Sequence, residues 1–257
     1  MELSKRLLAV ASLVTPGSIV ADIGTDHAYI PLYLIQEKKA PGAIAMDVNE
    51  GPLLRAEEHV RDAGLTEQIR LRRSDGLEQL SPGECDCAVI AGMGGGLMIR
   101  ILSAHPEITK SLKECVLQPQ SEIERVRSFL LEEGFVFLQE DMVLDDGKYY
   151  MMMKVRPPFP ENGDQDPKKQ ELRETAAEKE VWNEAELRYG KLLLEMRHPV
   201  LLSYLQREKD IHERILSGLD RQEGAHIEVR KQELQNDLKQ IGKGLEYYAL
   251  QWDHNTD

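Results

Sequence analysis

Val20-Ala21-Asp22-Ile23-Gly24-Thr25-Asp26-His27-Ala28-Tyr29-Ile30-Pro31 is the stretch that decides the fold. A short apolar run ends in an acid and a glycine, passes through a polar turn, and resumes as an apolar helix. In an α/β domain, such a junction is where a nucleotide-like cofactor meets the first strand. A second apolar run, Ile44-Ala45-Met46-Asp47, also ends in an acid. An acid roughly 20 residues past a first glycine turn commonly holds ribose hydroxyls. The turn lacks a phosphate fingerprint, because G-x-G-x-x-G from Gly24 would need glycines where Asp26 and Tyr29 stand. A carboxylate at Asp26 would repel a pyrophosphate. The pattern calls for a ligand with a ribose and no phosphate.

Outward from this junction, strand-like and helix-like stretches alternate. Residues 3–14 read as a short helix with Leu3, Leu7, Leu8 and Leu13 on its apolar stripe, ended by Thr15-Pro16-Gly17. Strands are expected at 18–23, 43–47, 68–72, 85–91 and 114–118, and helices at 29–38, 50–63, 95–103 and 121–133. This alternation implies a parallel sheet with helices on both faces. Phe135–Asp141 and Tyr149–Lys154 flank the turn signal Asp145-Asp146-Gly147-Lys148 and read as two antiparallel strands closing one edge. The expected fold class is α/β, with a mostly parallel, Rossmann-like, seven-stranded sheet.

Pro157 to Pro167 holds four prolines, a glycine and several acids, the composition of a linker. It separates an expected domain over 1–158 from a helical one over 159–257. Ile227, Lys231, Leu234, Leu238, Ile241, Leu245, Tyr248 and Trp252 alternate steps of four and three, a heptad seam with one polar interruption. Leu201, Tyr204, Leu205, Ile211, Ile215 and Leu219 form a second stripe, and Ser217–Gly224 can turn the chain between the two. A helical hairpin resembling a short coiled coil is expected, preceded by a helix around 170–196 and a break at His198-Pro199. Three helices of a bundle packed on the sheet domain are the alternative.

Composition narrows the class. No apolar run is long enough to span a bilayer, and Met1-Glu2-Leu3-Ser4-Lys5-Arg6 lacks a secretory pattern, so a cytoplasmic location is expected. Three cysteines, Cys85 and Cys87 on one expected strand and Cys115 on another, read as core thiols, with no disulfide framework and no metal site. The net charge of −13 argues against bulk, non-specific nucleic-acid binding. It leaves room for a local basic patch drawn from Lys5, Arg6, Arg70, Arg72, Arg73, Arg125 and Arg127.

S-adenosylmethionine has a ribose and no phosphate, and acids near its sulfonium and ammonium groups are favourable. On that reading Asp22, Gly24 and Thr25 face the cofactor at the first turn. Asp47, with Val48 beside it, is the ribose candidate, and Asp75-Gly76 can accept from the adenine amino group. Each of these acids also has a plain reading as a strand-end or turn acid. Val89-Ile90-Ala91-Gly92-Met93-Gly94-Gly95-Gly96-Leu97 is the fourth strand and its exit. Its small residues let backbone approach a ligand closely, and glycines before a helix are expected to offer free N–H groups. His27 and Tyr29 flank the first turn.

VADIGTDHAYIP at 20–31, AMDVNEGPL at 45–53, SDGL at 74–77, AGMGGGLM at 91–98 and LQPQSEIERVRSFL at 117–130 resemble the bacterial tRNA adenine-22 N1-methyltransferase family, TrmK, over the whole chain. The resemblance implies a class I S-adenosylmethionine-dependent fold and methyl transfer to N1 of an adenine in the D-loop region of tRNA. It places Asp22, Gly24, Asp47, Asp75, Ala91, Gly92 and Met93 around the cofactor, and His27 and Tyr29 toward the substrate. The fourth strand ends in Ala91-Gly92-Met93-Gly94, where exocyclic-amine methylases carry an Asn/Asp-Pro-Pro-aromatic tetrad. Adenine N1 already owns an in-plane lone pair, so positioning and charge stabilisation suffice and no strong base is required. Asp26 is expected to help electrostatically, which makes Asp26, His27 and Tyr29 the catalytic candidates. The target must be unpaired or extruded, with Tyr29 or Met93 offering a face to it and Lys5, Arg6, Arg70, Arg72 and Arg73 holding RNA phosphates. The rival readings are a class I methylase for another substrate, and a cofactor-binding protein whose coiled coil recruits a partner. Neither metal nor membrane is expected as a partner, and the chain is expected to be a monomer or weak homodimer.

Overall fold

The strands are β1 (Val20–Ile23), β2 (Ala43–Asp47), β3 (Ile69–Arg73), β4 (Cys87–Gly94), β5 (Glu114–Ser121), β6 (Val136–Asp145) and β7 (Lys148–Arg156). They form one sheet in the order β3-β2-β1-β4-β5-β7-β6. The computed structural model describes residues 3–158, 180–219 and 224–249. β1 pairs in parallel with both β2 and β4, so the strand order reverses beside β1. A crevice opens at that point, outside the carboxyl ends of the strands. β1 is buried along its whole length, as an apolar strand covered on both faces must be. β7 runs antiparallel to β5 and β6. Asp146 (φ 48°) and Gly147 (φ 73°) form the two-residue turn between β6 and β7, in the left-handed conformation that matches strand twist.

The helices of this unit are α1 (Lys5–Leu13), α2 (Tyr29–Gln36), α3 (Glu50–Asp62), α4 (Gly95–Ala104), α5 (Pro106–Thr109) and α6 (Ile123–Glu132). Ser4 caps α1 by accepting from the Leu7 N–H, and Val10, Ala11 and Leu13 turn into the core. α5 was not expected. The fourth strand starts later and ends later than its apolar run suggests. Cys85 lies ahead of it, and Gly92, Met93 and Gly94 belong to the strand. Met93 and Gly94 remain paired because β5 also continues, to Ser121, across register shifts at Ala91/Met93 and Met93/Gly94, with Gly92 skipped by the register. All three thiols are buried, and burial pushes that of Cys85 up to about 12.

Arg127 was a candidate cation for the surface. It is fully buried on α6 and pairs with the equally buried Glu140 of β6 at 2.8 Å. Arg125 spends itself on Glu122.

The chain divides into two compact units, Met1–Val181 and Trp182–Asp257. The expected linker beyond Pro158 and the expected helical residues 170–179 lie outside the described residues. The second unit holds α7 (Glu184–Tyr189), α8 (Lys191–Glu195), α9 (Pro199–Leu219) and α10 (Ala225–Ala249). The expected single helix to 196 is broken at Gly190, whose φ of 93° is outside the helical region. Arg197 (φ 54°) and then Pro199 separate α8 from α9. α9 continues through Ser217 and Gly218, past the start of the expected turn, and 220–223 lie outside the described residues. α9 and α10 run antiparallel: the Tyr248 hydroxyl donates to the His198 carbonyl at 2.9 Å, and His212 meets Asp237 at 3.4 Å. Ile227, Leu234 and Ile241 are buried at seven-residue spacing, but so are Gln240 and Gly244. Gln240 donates to Glu184, and Gly244 lies against Tyr189, so α10 packs on α7 as well as on α9. The buried face is therefore wider than a two-helix seam; Trp252 lies outside the described residues. Among the described residues no helix is long and apolar enough to cross a membrane, and no cluster of His, Cys, Asp or Glu is arranged to hold a metal ion.

Candidate active site

An open cleft of about 220 Å³ sits where the strand order reverses, lined by Arg6, Asp22, Gly24, Thr25, Asp26, His27, Tyr29 and Ala91 among others. Seven of these were candidates at the cofactor or acceptor side, and Arg6 was expected on phosphates.

Asp22 closes the floor. It is only 7% exposed. Burial pushes its carboxyl up to about 6; the Asp47 charge adds to the rise and a hydrogen bond with Thr25 opposes it. Gly24 (φ 77°) and Thr25 both donate their N–H to the Met46 carbonyl, at 2.8 and 2.9 Å, which pins the turn to β2. The Thr25 hydroxyl accepts from the Ala28 N–H at 3.2 Å. Met93 reaches across from β4, and a Cβ on Gly24 would collide with its Cε.

Asp47 ends β2 half-buried, and its Oδ1 accepts the Asn49 N–H at 2.7 Å just ahead of α3. Val48 is exposed, and its carbonyl accepts from Arg73 at 3.0 Å. Asp75 lines a separate hollow of about 260 Å³ and pairs with Arg100 of α4 at 3.2 Å. Gly76 (φ 60°) lies against Ile101.

The glycines at the end of β4 and the start of α4 do not all present free N–H groups. The Gly92 N–H (φ 82°) donates to Gln118 Oε1 at 3.1 Å, and the Gly96 N–H donates to Glu122 at 3.0 Å. Gln118 is wholly buried on β5 and also accepts from Arg6 Nη1 at 3.0 Å. Arg6 lies over the Tyr150 ring and donates its backbone N–H to Asp145. It forms a wall of the cleft and is not a freely solvated cation.

On the open side, Asp26 receives the Arg55 guanidinium through Nε at 3.2 Å and through Nη2, and its other oxygen lies 3.4 Å from His27 Nε2. The rings of His27, Tyr29 and His59 stack mutually, with centroids 4.9, 5.0 and 5.5 Å apart. Lys5 and Arg70 are exposed. Arg72 pairs with Glu84 at 2.6 Å and donates to the Gln79 carbonyl. Gln118, Arg55, His59 and Arg100 were not singled out from sequence. Of these, only Gln118 left a signal: a polar side chain inside an apolar strand.

Residues 3–153 match the family of methyltransferase domains. A Bacillus subtilis tRNA (adenine(22)-N(1))-methyltransferase is 34% identical over 258 residues, which covers 99% of this chain and 98% of that protein. The chain belongs to the tRNA (adenine(22)-N(1))-methyltransferase family. The crystal structure of the B. subtilis m1A22 tRNA methyltransferase TrmK matches this methyltransferase with a TM-score of 0.75 at 31% identity, covering 95% of this chain and 99% of that one. M. capricolum TrmK, solved with the cofactor product S-adenosyl-homocysteine, matches with a TM-score of 0.74 at 26% identity over 96% of this chain and 99% of its own. β4 ends in Ala91-Gly92-Met93-Gly94, with no polar tetrad; Ala91 lines the cleft and the Met93 thioether lies against Gly24.

Proposed function

We propose that the chain transfers a methyl group from S-adenosylmethionine to N1 of adenine 22 in the D-loop region of tRNA. The observation that carries this reading is the cleft beside β1: it gathers Asp22 and Asp26, has Asp47 on the neighbouring strand end, and offers no glycine-rich phosphate cradle. Asp22 fits a cationic ligand, because burial opposes its ionisation and an ammonium or sulfonium group reverses that penalty. Asp22, Gly24, Thr25, Ala91, Gly92 and Met93 would hold the amino-acid end and the reacting centre; Asp47 and Val48 the ribose; Asp75 and Gly76 the adenine, once Asp75 parts from Arg100.

When bound, S-adenosylmethionine supplies a methyl group made electrophilic by its cationic sulfur, open to in-line attack by the N1 lone pair. The chain's task is to align the partners and to stabilise positive charge on the methylated ring. Asp26 places a carboxylate at the open side of the cleft for that purpose, once Arg55 yields it, and His27 and Tyr29 present rings to the base. Lys5, Arg6, Arg70 and Arg73 take phosphates; Arg72 joins them only by leaving Glu84.

We place the catalytic domain at 1–158 and the helical domain at 159–257, whose α9 and α10 act as a coiled-coil-like hairpin that braces the tRNA. The chain acts in the cytoplasm without metal, as a monomer or weak homodimer. The deciding experiment is to map the methylated nucleoside after incubation with S-adenosylmethionine and unmodified tRNA. N1-methyladenosine at position 22, lost when that adenine is changed to guanine, supports the reading; methylation elsewhere or none refutes it.

A further inference from the structure

We infer that His59 is a positioning residue for the acceptor side of the cleft: from α3 it holds the His27 and Tyr29 rings as a ledge on which the unpaired target base of the tRNA stacks. This rests on the methyl-transfer reading above.

The turn leading into α2 is pinned to β2 at Gly24 and Thr25, but its far end, at residues 27 and 28, needs support from elsewhere. Ala28 sits at φ 55°, a left-handed conformation for a residue with a Cβ, and α2 begins without a side-chain cap. Pro31, four residues after His27, has no N–H to offer the His27 carbonyl. His59 takes that place, with Nδ1 3.2 Å from the His27 carbonyl oxygen. A carbonyl only accepts, so Nδ1 carries the proton in this contact.

The same ring stacks on both members of the ledge, 24° from the His27 plane and 17° from the Tyr29 plane. One turn earlier on α3, Arg55 grips Asp26. Residues four apart share a helix face, so α3 holds the turn by the side chain of residue 26 and the backbone of residue 27. α3 itself begins just after Asp47, which ties the ledge to the cofactor side of the cleft.

The ledge is placed to receive a base. Tyr29 is 36% exposed and lines the cleft mouth with His27. Unstacked RNA bases are commonly received on aromatic side chains, and each such stack raises affinity on the order of tenfold or more.

The test compares His59→Ala, His59→Phe and His59→Asn in the full chain. The readouts are the Kd for unmodified tRNA with S-adenosylhomocysteine present, the single-turnover methylation rate, the donor Kd and Tm. His59→Ala is expected to weaken tRNA binding and slow methylation on the order of tenfold each, with donor Kd changed less than about twofold. Phe keeps the ring and should restore most of the loss; Asn keeps only the hydrogen-bond donor and should restore less. Unchanged tRNA Kd and rate in His59→Ala overturn the inference. So does a loss of donor binding and Tm in step with tRNA binding in all three variants, which marks a purely structural role. If the unaltered chain binds tRNA but does not methylate it, the reaction assignment fails and the ledge is judged on affinity alone. If it does neither, both fail.

Discussion

A carboxyl group on the floor of a cleft can keep its proton or find a cation, and Asp22 shows which it does alone. Its folded value of about 6 lies above the ordinary aspartate value of 3.8, chiefly through burial. The folded chain therefore holds an extra proton between those values, and Asp22 lowers stability progressively as pH rises across that window. A cationic donor reverses the balance by favouring the ionised acid. Donor binding at pH 5.5 should accordingly release a proton, detectable by calorimetry in buffers of different ionisation enthalpy, and release should fade by pH 8. Affinity should rise with pH through about 6 and then level off. Asp22→Asn should abolish the release, weaken donor binding by about tenfold or more, and raise the Tm of the free chain at pH 7. Gly24 offers a second test. A Cβ there meets a flexible methionine end, which can move, and a backbone φ of 77°, which cannot. Gly24→Ala should cost about 1 kcal/mol or more in a thermal or urea melt. Adding Met93→Ala should not recover it.

The elements legible in the sequence are those whose pattern is local. β1 and β2 are apolar because helices cover both faces, and the β6–β7 turn is written in Asp146-Gly147. What escaped depends on partners distant in sequence. β4 runs to Gly94 only because β5 continues to pair with it. Part of the site was equally legible: the first turn and Ala91 share one cleft, while Asp75 lies in a separate hollow with Arg100. His59 and Arg55 look like ordinary polar residues of α3 until the fold brings them against residues 26–29. Arg127 is the sharpest case, a cation on a charged-looking helix that proves fully buried against Glu140. Removing one member of such a pair leaves an unbalanced buried charge, so Arg127→Met should destabilise the chain by about 3–5 kcal/mol in urea unfolding. Arg127→Met with Glu140→Leu should recover most of that loss, because the pair's attraction largely offsets its desolvation. If the double variant is no better than the single one, the pair is held by more than charge balance.

At the scale of the whole molecule, a chain of net charge −13 must hold a polyanion. Long-range attraction is therefore unavailable, and binding has to come from a few placed cations, base stacking and shape. Several basic residues are already committed: Arg127 to Glu140, Arg125 to Glu122, and Arg72 to Glu84. Lys5 and Arg70 are exposed, which makes them the cleanest probes. Each phosphate contact contributes about 0.7 to 0.9 to the slope of log Kd against log salt. The unaltered chain should therefore show a shallow slope, below about 5. Lys5→Glu with Arg70→Glu should weaken tRNA binding on the order of tenfold and reduce the slope by about one to two, with donor affinity and Tm unaltered. An unchanged slope would mean that these cations do not meet the backbone and that other residues, those of the helical unit included, carry the phosphate contacts. A steep slope in the unaltered chain would contradict the argument from net charge itself, since it would require many phosphate-bound cations where the argument allows only a few.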